Sequence, residues 1–436
     1  MFDRAGYLQK LLIRRNDGLI KVITGIRRAG KSYLMNELFY HRLISDGFQP
    51  DHIIRFAFDL FEDREKIGDT MTDQYGKIKK ADPSLFLRYI TEVTAGEDAY
   101  ILLLDEVQEL DLFESVLNSL LRRKNLDIYV TGSNSHFLSS DIITEFRGRG
   151  EEIHVCPLTF REYTEGLGLS PYDAWRDYLV TGGIPLVAGM KDEEQRASYL
   201  KALCSEVYLK DIVNRSQIQD PSDLSELLDV IASMMASETN PSKITNTFIA
   251  EKKRKITDDT VRKYLSLMEE AYLFSRIGRY DIEGRRYINA SYKFYFEDIG
   301  VRNARLNFRQ INETHLMENI IFNELRVRGF QVDTGRINMS EKTDRLDANG
   351  KTIYSRKKLE VDFVATLGCQ KYYIQSAWSA REQEKELQEK RPFFHIGDSF
   401  RKILIVQDNI RLQRDENGIV TMNLFDFLMD PGSLER

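Results

Sequence analysis

Through the first 165 residues, short apolar and β-branched runs alternate with longer stretches of helical period. The runs are LIKVIT (19–24), HIIRFAF (52–58), AYILLLDEV (99–107), LDIYVTGS (126–133) and EEIHVCPL (151–158). Near-continuous apolar strands separated by helices are what a parallel sheet covered on both faces requires. The pattern therefore predicts an α/β domain over residues 1–165. Helical period dominates residues 166–290. LSPYDAWRDYLVTGGIPLVA reads as a helix that ends at Gly182-Gly183, with Pro185 stopping regular structure. Amphipathic helices follow in LSELLDVIASMMAS and PSKITNTFI, then in ITDDTVRKYLSLMEEAYLF, where Thr257 or Asp258 is the N-cap. Two strand-like stretches, FSRIGRYD (274–281) and RRYINAS (285–291), are joined by Glu283-Gly284. Residues 291–436 open with the helix THLMENIIFNELRVR (314–328), followed by candidate strands FQVDTG, KKLEVDFVAT and KYYIQSAWS. At 436 residues, three domains with these bounds are the expectation.

Chemistry enters at the first strand. LIKVITGIRRAGKSYLMNEL contains Gly25-x-x-x-x-Gly30-Lys31-Ser32, between a β-branched run and a helical one. In such a loop, backbone N–H groups and a helix N-terminus surround the β- and γ-phosphates of a nucleotide. Lys31 neutralises their charge, and the hydroxyl of Ser32 ligates Mg²⁺. The expected nucleotide-binding residues are Gly25, Ile26, Arg27, Arg28, Ala29, Gly30, Lys31, Ser32 and Tyr33. Arg27 and Arg28 either serve the phosphates or simply face solvent and neighbouring acids.

The third strand ends in four apolar residues and two acids, Ile101-Leu-Leu-Leu-Asp105-Glu106. Carboxylates at the C-terminal end of a buried parallel strand lie where open α/β sheets bind ligands. Asp105 is expected to hold Mg²⁺ through water, and Glu106 to orient and deprotonate the attacking water. Thr131-Gly132-Ser133-Asn134 closes the fourth strand. Asn134 is the expected γ-phosphate sensor; the alternative is that Asn134 or Ser133 caps the following turn. Phe146-Arg147-Gly148-Arg149-Gly150 precedes the fifth strand. Arg147 and Arg149 are either arginine fingers, in cis or from a neighbouring subunit, or solvated residues of a surface turn.

Composition narrows the partners. Net charge is 62 − 68 = −6, so the whole chain is not a polycation, although a local basic face is compatible with that sum. The three cysteines, Cys156, Cys204 and Cys369, are widely spaced and form no metal-ligand pattern, which fits a reducing cytoplasm. No signal peptide is expected at the N-terminus. No run of about 18 apolar residues predicts a membrane span.

GIRRAGKS, LLLDEVQ, TGSNSHFLS, FRGRG and PLTFREY, in this order and spacing, resemble a large prokaryotic group of AAA+-like ATPases. That group is similar to the archaeal-ATPase and signal-transduction NTPase branches, and its second half is a domain of uncharacterised function. The resemblance extends to Tyr178-Leu-Val-Thr-Gly182-Gly183-Ile-Pro185, to Tyr208-Leu-Lys-Asp211-Ile and to GIVTMNLFDFL, and so covers nearly the whole chain. It implies an ASCE-type P-loop fold, ATP in preference to other nucleotides, and a helical lid after the first domain.

Helix–helix–helix–hairpin is the layout of a winged helix, which related ATPases carry at this place. Lys252, Lys253, Arg254 and Lys255 precede its third helix, Arg262 and Lys263 lie on it, and Arg285 and Arg286 lie in the wing. These are positions from which DNA phosphates could be contacted; winged helices also bind proteins. The last domain looks like a restriction-endonuclease fold, in which an active centre needs acids and an acid-x-lysine. Glu318 and Asp362 match the first acids, but the last position reads Gln375-Ser376-Ala377, and Lys371 lies too early on the strand. This domain is expected to bind or scaffold and not to cut. The sequence thus predicts a cytoplasmic enzyme that converts ATP and water to ADP and phosphate with Mg²⁺, acting as a slow switch. The alternative is a nucleotide-gated regulator with incidental hydrolysis. DNA and an unidentified protein are the candidate partners, and oligomers are compatible with an arginine finger in trans.

Overall fold

The computed structural model describes residues 2–72, 75–96, 98–132, 146, 148–216, 218, 220–346 and 352–436. The chain divides into two compact units. The first comprises residues 1–157 with 270–272, and the second residues 158–269 with 273–436.

Unit 1 is built on a five-stranded sheet of order β2-β3-β4-β1-β5, with every pairing parallel. The strands are β1 (Ile20–Thr24), β2 (Ile53–Ala57), β3 (Tyr100–Asp105), β4 (Leu126–Thr131) and β5 (Gly150–His154). Four lie inside the apolar runs and β5 begins one residue before its run, and β1, β3 and β4 are buried at every position, as a sheet covered on both faces requires. One core cluster joins Val22, Leu102, Leu104, Ile128 and Val130 to Phe56, Phe58 and Phe86. Lys21 sits inside β1 with no solvent exposure, because Asp127 of β4 accepts its ammonium at 2.6 Å and Asp17 lies 2.7 Å away. A buried charge is tolerated when it is paired in this way.

In unit 2, helices Phe160–Leu167 and Pro171–Thr181 lead to the Gly182-Gly183 turn. Gly182 has φ +70, and a Cβ on Gly183 would stand 2.2 Å from the Leu158 carbonyl oxygen. Asp298 takes the space that a Cβ on Gly182 would need, with Oδ1 2.5 Å from that position, and its carboxylate accepts the Gly183 N–H at 2.7 Å and the Val301 N–H at 2.9 Å. The family-like Thr-Gly-Gly motif is thus accounted for by close packing. A helical run from Glu193–Ala202 to Lys210–Ser216 follows, and then helices Pro221–Ser233, Pro241–Lys252 and Asp258–Glu270, the last with the Thr257 hydroxyl accepting the Thr260 N–H at 3.1 Å.

The antiparallel hairpin of β6 (Phe274–Asp281) and β7 (Arg286–Phe296) follows. β6 also pairs in parallel with β8 (Gln331–Leu346), which brings the hairpin into an eight-stranded sheet of order β12-β13-β11-β10-β9-β8-β6-β7. The other strands are β9 (Thr352–Leu367), β10 (Gln370–Ala377), β11 (Arg401–Val406), β12 (Gln413–Arg414) and β13 (Val420–Asn423). The boundary expected between residues 290 and 291 therefore falls within β7. The expectation treated the hairpin as the end of one domain, whereas its backbone pairing makes it part of the sheet of the next.

Candidate functional site

β1 delivers the chain into the loop Gly25–Gly30, and helical residues run without a break from Lys31 through Leu34–Phe39, which is π-helical, to Tyr40–Ser45. Two glycines make the loop possible. Gly30 adopts φ +95, and Gly25 adopts φ +130 with the Val155 carbonyl oxygen 2.2 Å from where a Cβ would lie. Ile26 and Ala29 are buried anchors, while Arg28 is exposed with φ +68. Tyr33 is half-buried in the first helical turn. The first N–H groups of a helix have no intrahelical acceptor, so those of the opening turn are available to an anion.

Lys31 is 5% exposed and donates to the carbonyls of Gly25 at 2.8 Å and Ile26 at 3.1 Å. Burial, helped by the charge of Arg27, lowers its pKa to about 8, while Glu106 and Asp105 hold it up. The Ser32 hydroxyl donates to Asp105 Oδ1 at 3.1 Å, and Asn36 Nδ2 donates to Asp105 Oδ2 at 2.9 Å. Burial raises the Asp105 pKa against the hydroxyls of Thr131 and Ser32, which favour the carboxylate. Glu106 follows in the left-handed region at φ 50, and its carboxylate accepts from Gln108 Nε2. A non-glycine residue there is held by its surroundings.

The sheet order also brings in residues that the sequence reading passed over. Because β4 lies between β1 and β3, Thr131 at its end reaches both acids. Its hydroxyl donates to Asp105 Oδ1 and accepts the Glu106 N–H at 3.0 Å. Asp59, just beyond β2, has its carboxyl pKa raised by burial and by the charges of Glu106 and Asp105. The sequence signal for Thr131 was its place as the last residue of a buried strand.

Lys31, Ser32, Asp105 and Glu106 are thus brought together at the C-terminal edge of the sheet. Asn134 and Arg147 lie outside the described residues. Arg149 is exposed, and its carbonyl accepts the N–H of Ile20, the first residue of β1. That is the edge opposite the loop, about 15 Å of strand away. The expectation that Arg149 could act as a finger in cis is corrected by this placement, since its side chain cannot span the sheet. The Ser32 hydroxyl and the Asp105 carboxylate, hard oxygen donors beside a buried lysine, fit a Mg²⁺-bound polyphosphate.

In unit 2, some basic residues of the three-helix region are already engaged. Arg254 pairs with Asp223 at 3.1 Å, Asp220 at 3.5 Å and Glu226 at 3.6 Å, and Arg286 lies 3.6 Å from Asp281. Lys253, Lys255, Arg262, Lys263 and Arg285 are exposed. Glu318, Asp362 and Gln375 of the nuclease-like pattern do come together: Gln375 Oε1 accepts the Asp362 N–H at 3.2 Å, and Lys293 of β7 lies 2.8 Å from Glu318. Lys371 is elsewhere, over the rings of Tyr280, Tyr373 and Phe400. Among the described residues no helix is long and apolar enough to cross a membrane.

Comparison with known proteins agrees with the architecture of unit 1. Residues 17–164 match the model of an AAA domain, and residues 172–312 match that of a domain of unknown function. An uncharacterized protein of Haemophilus influenzae is 30% identical over 435 residues, spanning 98% of this chain and 99% of that protein. An uncharacterized protein of Methanocaldococcus jannaschii is 26% identical over 379 residues, 84% of this chain and 76% of that one. Among solved structures, the Aeropyrum pernix ORC1 protein in complex with DNA is similar at 13% identity and a TM-score of 0.33, over 70% of this chain and 93% of that one. With 30% identity and near-complete mutual coverage of the Haemophilus protein, this chain belongs to that protein's family, and its own residues 17–164 match the AAA-domain model.

Proposed function

We propose that this chain binds ATP with Mg²⁺ at the Gly25–Ser32 loop and hydrolyses it slowly to ADP and phosphate, as a switch read out by unit 2. The observation that carries the reading is the convergence of Lys31, Ser32, Asp105 and Glu106 at one edge of the unit 1 sheet. The loop amides and the Lys31 ammonium hold the phosphates, leaving the carbonyls of Gly25 and Ile26 for a stronger partner. Ser32 and Asp105 hold the metal, which, when bound, screens the phosphate charge. Glu106 takes the proton of the attacking water once it leaves Gln108, and this resting contact is consistent with slow turnover. Asn134 senses the γ-phosphate, and Arg147 or Arg149 acts on the nucleotide of a neighbouring subunit. The setting is cytoplasmic.

Thr131 holds the two acids in register. Thr131→Val keeps the side-chain shape and removes both hydroxyl bonds, leaving the Glu106 N–H without its acceptor. Unit 1 should lose about 1–3 kcal/mol of stability, and turnover should fall at least roughly tenfold. Turnover equal to wild type would refute the positioning role.

The three helices and the β6–β7 hairpin follow one another in the order of a winged helix, with the hairpin shared with the eight-stranded sheet, and we take this region as the candidate DNA contact. Its third helix, DDTVRKYLSLMEE, carries four acids and two bases, so DNA contact falls to the flanking Lys252, Lys253, Lys255 and Arg285. The decisive experiment is ATP binding and turnover by wild type and Lys31→Ala, with and without duplex DNA. Wild type should bind, and the variant should not. Because the ammonium deprotonates as pH rises through about 8, wild-type affinity should fall roughly tenfold from pH 7 to pH 9. No ATP binding by wild type sinks the proposal; turnover indifferent to DNA redirects the winged helix to protein partners.

A further inference from the structure

Three carboxylates in unit 2 converge on one ammonium. Glu318 comes from helix Glu313–Val327, and Glu360 and Asp362 come from alternate positions of β9, hence from one face of that strand. Lys293 and Tyr295, also two residues apart, come from β7. Lys293 Nζ lies 2.8 Å from Glu318 Oε1, 2.7 Å from Glu360 Oε1 and 4.0 Å from Asp362 Oδ1. Its side chain is 7% exposed, and those of Glu318 and Asp362 are 8% and 10% exposed.

The oxygens are further satisfied from within the chain. Tyr295 OH donates to Glu318 Oε1 at 2.6 Å, and Arg279 Nη2 donates to Glu360 Oε2 at 2.8 Å. Asp362 Oδ2 accepts the Ser376 N–H at 2.8 Å and the Ser376 hydroxyl at 2.9 Å. The nuclease-like pattern would place a divalent cation among these acids. A Mg²⁺ ion needs oxygen ligands at about 2.0–2.1 Å in near-octahedral array. The point where the three carboxylates meet is filled by an ammonium that already bonds two of them. Admitting the metal would set two cations side by side, or drive Lys293 off its acids into a desolvated interior. The residues present do not fit a divalent ion while Lys293 is in place.

We propose that Lys293 is the resident cation of this site: its ammonium stands where a divalent metal would, closing a carboxylate centre that becomes metal-binding when the ammonium is removed. The cluster is then an internal salt that ties β7, β9 and helix Glu313–Val327 together without a cofactor. The neighbouring chemistry agrees, since Ala377 supplies no charge and Gln375 spends its side-chain oxygen on the Asp362 N–H. This inference is independent of the ATPase reading, because every group in it belongs to unit 2.

Mn²⁺ is the probe, with binding measured by electron paramagnetic resonance on the full chain without nucleotide. Wild type and Asp362→Asn should bind Mn²⁺ identically, whatever the phosphate loop takes up. Lys293→Met should gain one Mn²⁺ and a thermal midpoint about 4 °C or more higher at saturating Mn²⁺. Lys293→Met/Asp362→Asn should lose both gains. Folded Lys293→Met that takes up no additional ion overturns the proposal. If that variant does not fold, the wild-type comparison decides alone. A wild-type Mn²⁺ site abolished by Asp362→Asn, or Mg²⁺-dependent DNA cleavage abolished by it, means that the centre is open and the proposal is wrong.

Discussion

Glu106→Gln should stop ATP turnover while leaving ATP binding in place. The substitution keeps the shape of the side chain and its reach towards Gln108, but removes the basic carboxylate. Proton transfer by a positioned general base contributes roughly 10²–10⁴-fold, so turnover should fall by about that factor. Affinity should change little, because Lys31, Ser32 and the loop amides are untouched. Glu106 is held by its backbone as well as its side chain: φ is 50, and its N–H is fixed by Thr131. Single-turnover phosphate release and equilibrium nucleotide titration on the same preparation separate the two quantities. Turnover within about threefold of wild type would remove Glu106 from the chemistry and leave Asp59 as the next acid to test.

Gly25→Ala should destabilise unit 1 more than any surface substitution in it. A Cβ there would stand 2.2 Å from the Val155 carbonyl oxygen and 3.1 Å from its carbon, on a backbone held at φ +130. Both obstacles are backbone. Val155 cannot yield freely, since its N–H donates to Thr24 O at 2.9 Å and continues the pairing of β1 with β5. Overpacking and the forced φ together should cost about 3 kcal/mol or more, lowering the first thermal transition by roughly 6–12 °C. Gly6→Ala, with nothing within 4 Å of the new methyl, is the matched control and should change stability by less than about 1 kcal/mol. Equal transitions for the two variants would show that the close approach of β5 to the loop is not needed for folding.

What could be read in the residues, and what could not, follows from the range of each interaction. The loop Gly25–Ser32 and the pair Asp105-Glu106 were legible because their chemistry is local: a strand, a turn, and side chains at the strand's end. The five runs were legible because β-branched apolar stretches bounded by polar turns have few other uses. Sheet order was not legible, since nothing in LDIYVT says that it lies between LIKVIT and YILLLD. The place of Thr131 between Asp105 and Glu106 was hidden for that reason, since only the sheet order sets the end of β4 beside the end of β3. Arg149 is a different case. An arginine just before a parallel strand must lie at the edge opposite a loop that follows one, so a cis finger was already geometrically excluded once five parallel strands were assumed. Lys293 was the least accessible. A lysine in KFYF reads as a polar position on a half-buried strand, and only the pairing of β6 with β8 brings it to acids on β9.

That same pairing makes the second unit an indivisible inheritance. Arg279 of β6 clasps Glu238 from between two helices at 2.6 Å and Glu360 of β9 at 2.8 Å, so three segments share one guanidinium. Recombination between relatives at residue 290 would split β7, part Arg279 from Glu360 and leave the flank of β8 to a foreign β6. Lineages that reshuffle their three-helix and distal segments as separate cassettes could not do so at this point. The hairpin and the sheet must descend together, and divergence in this half of the family is expected to proceed by substitution within the block and not by exchange across it.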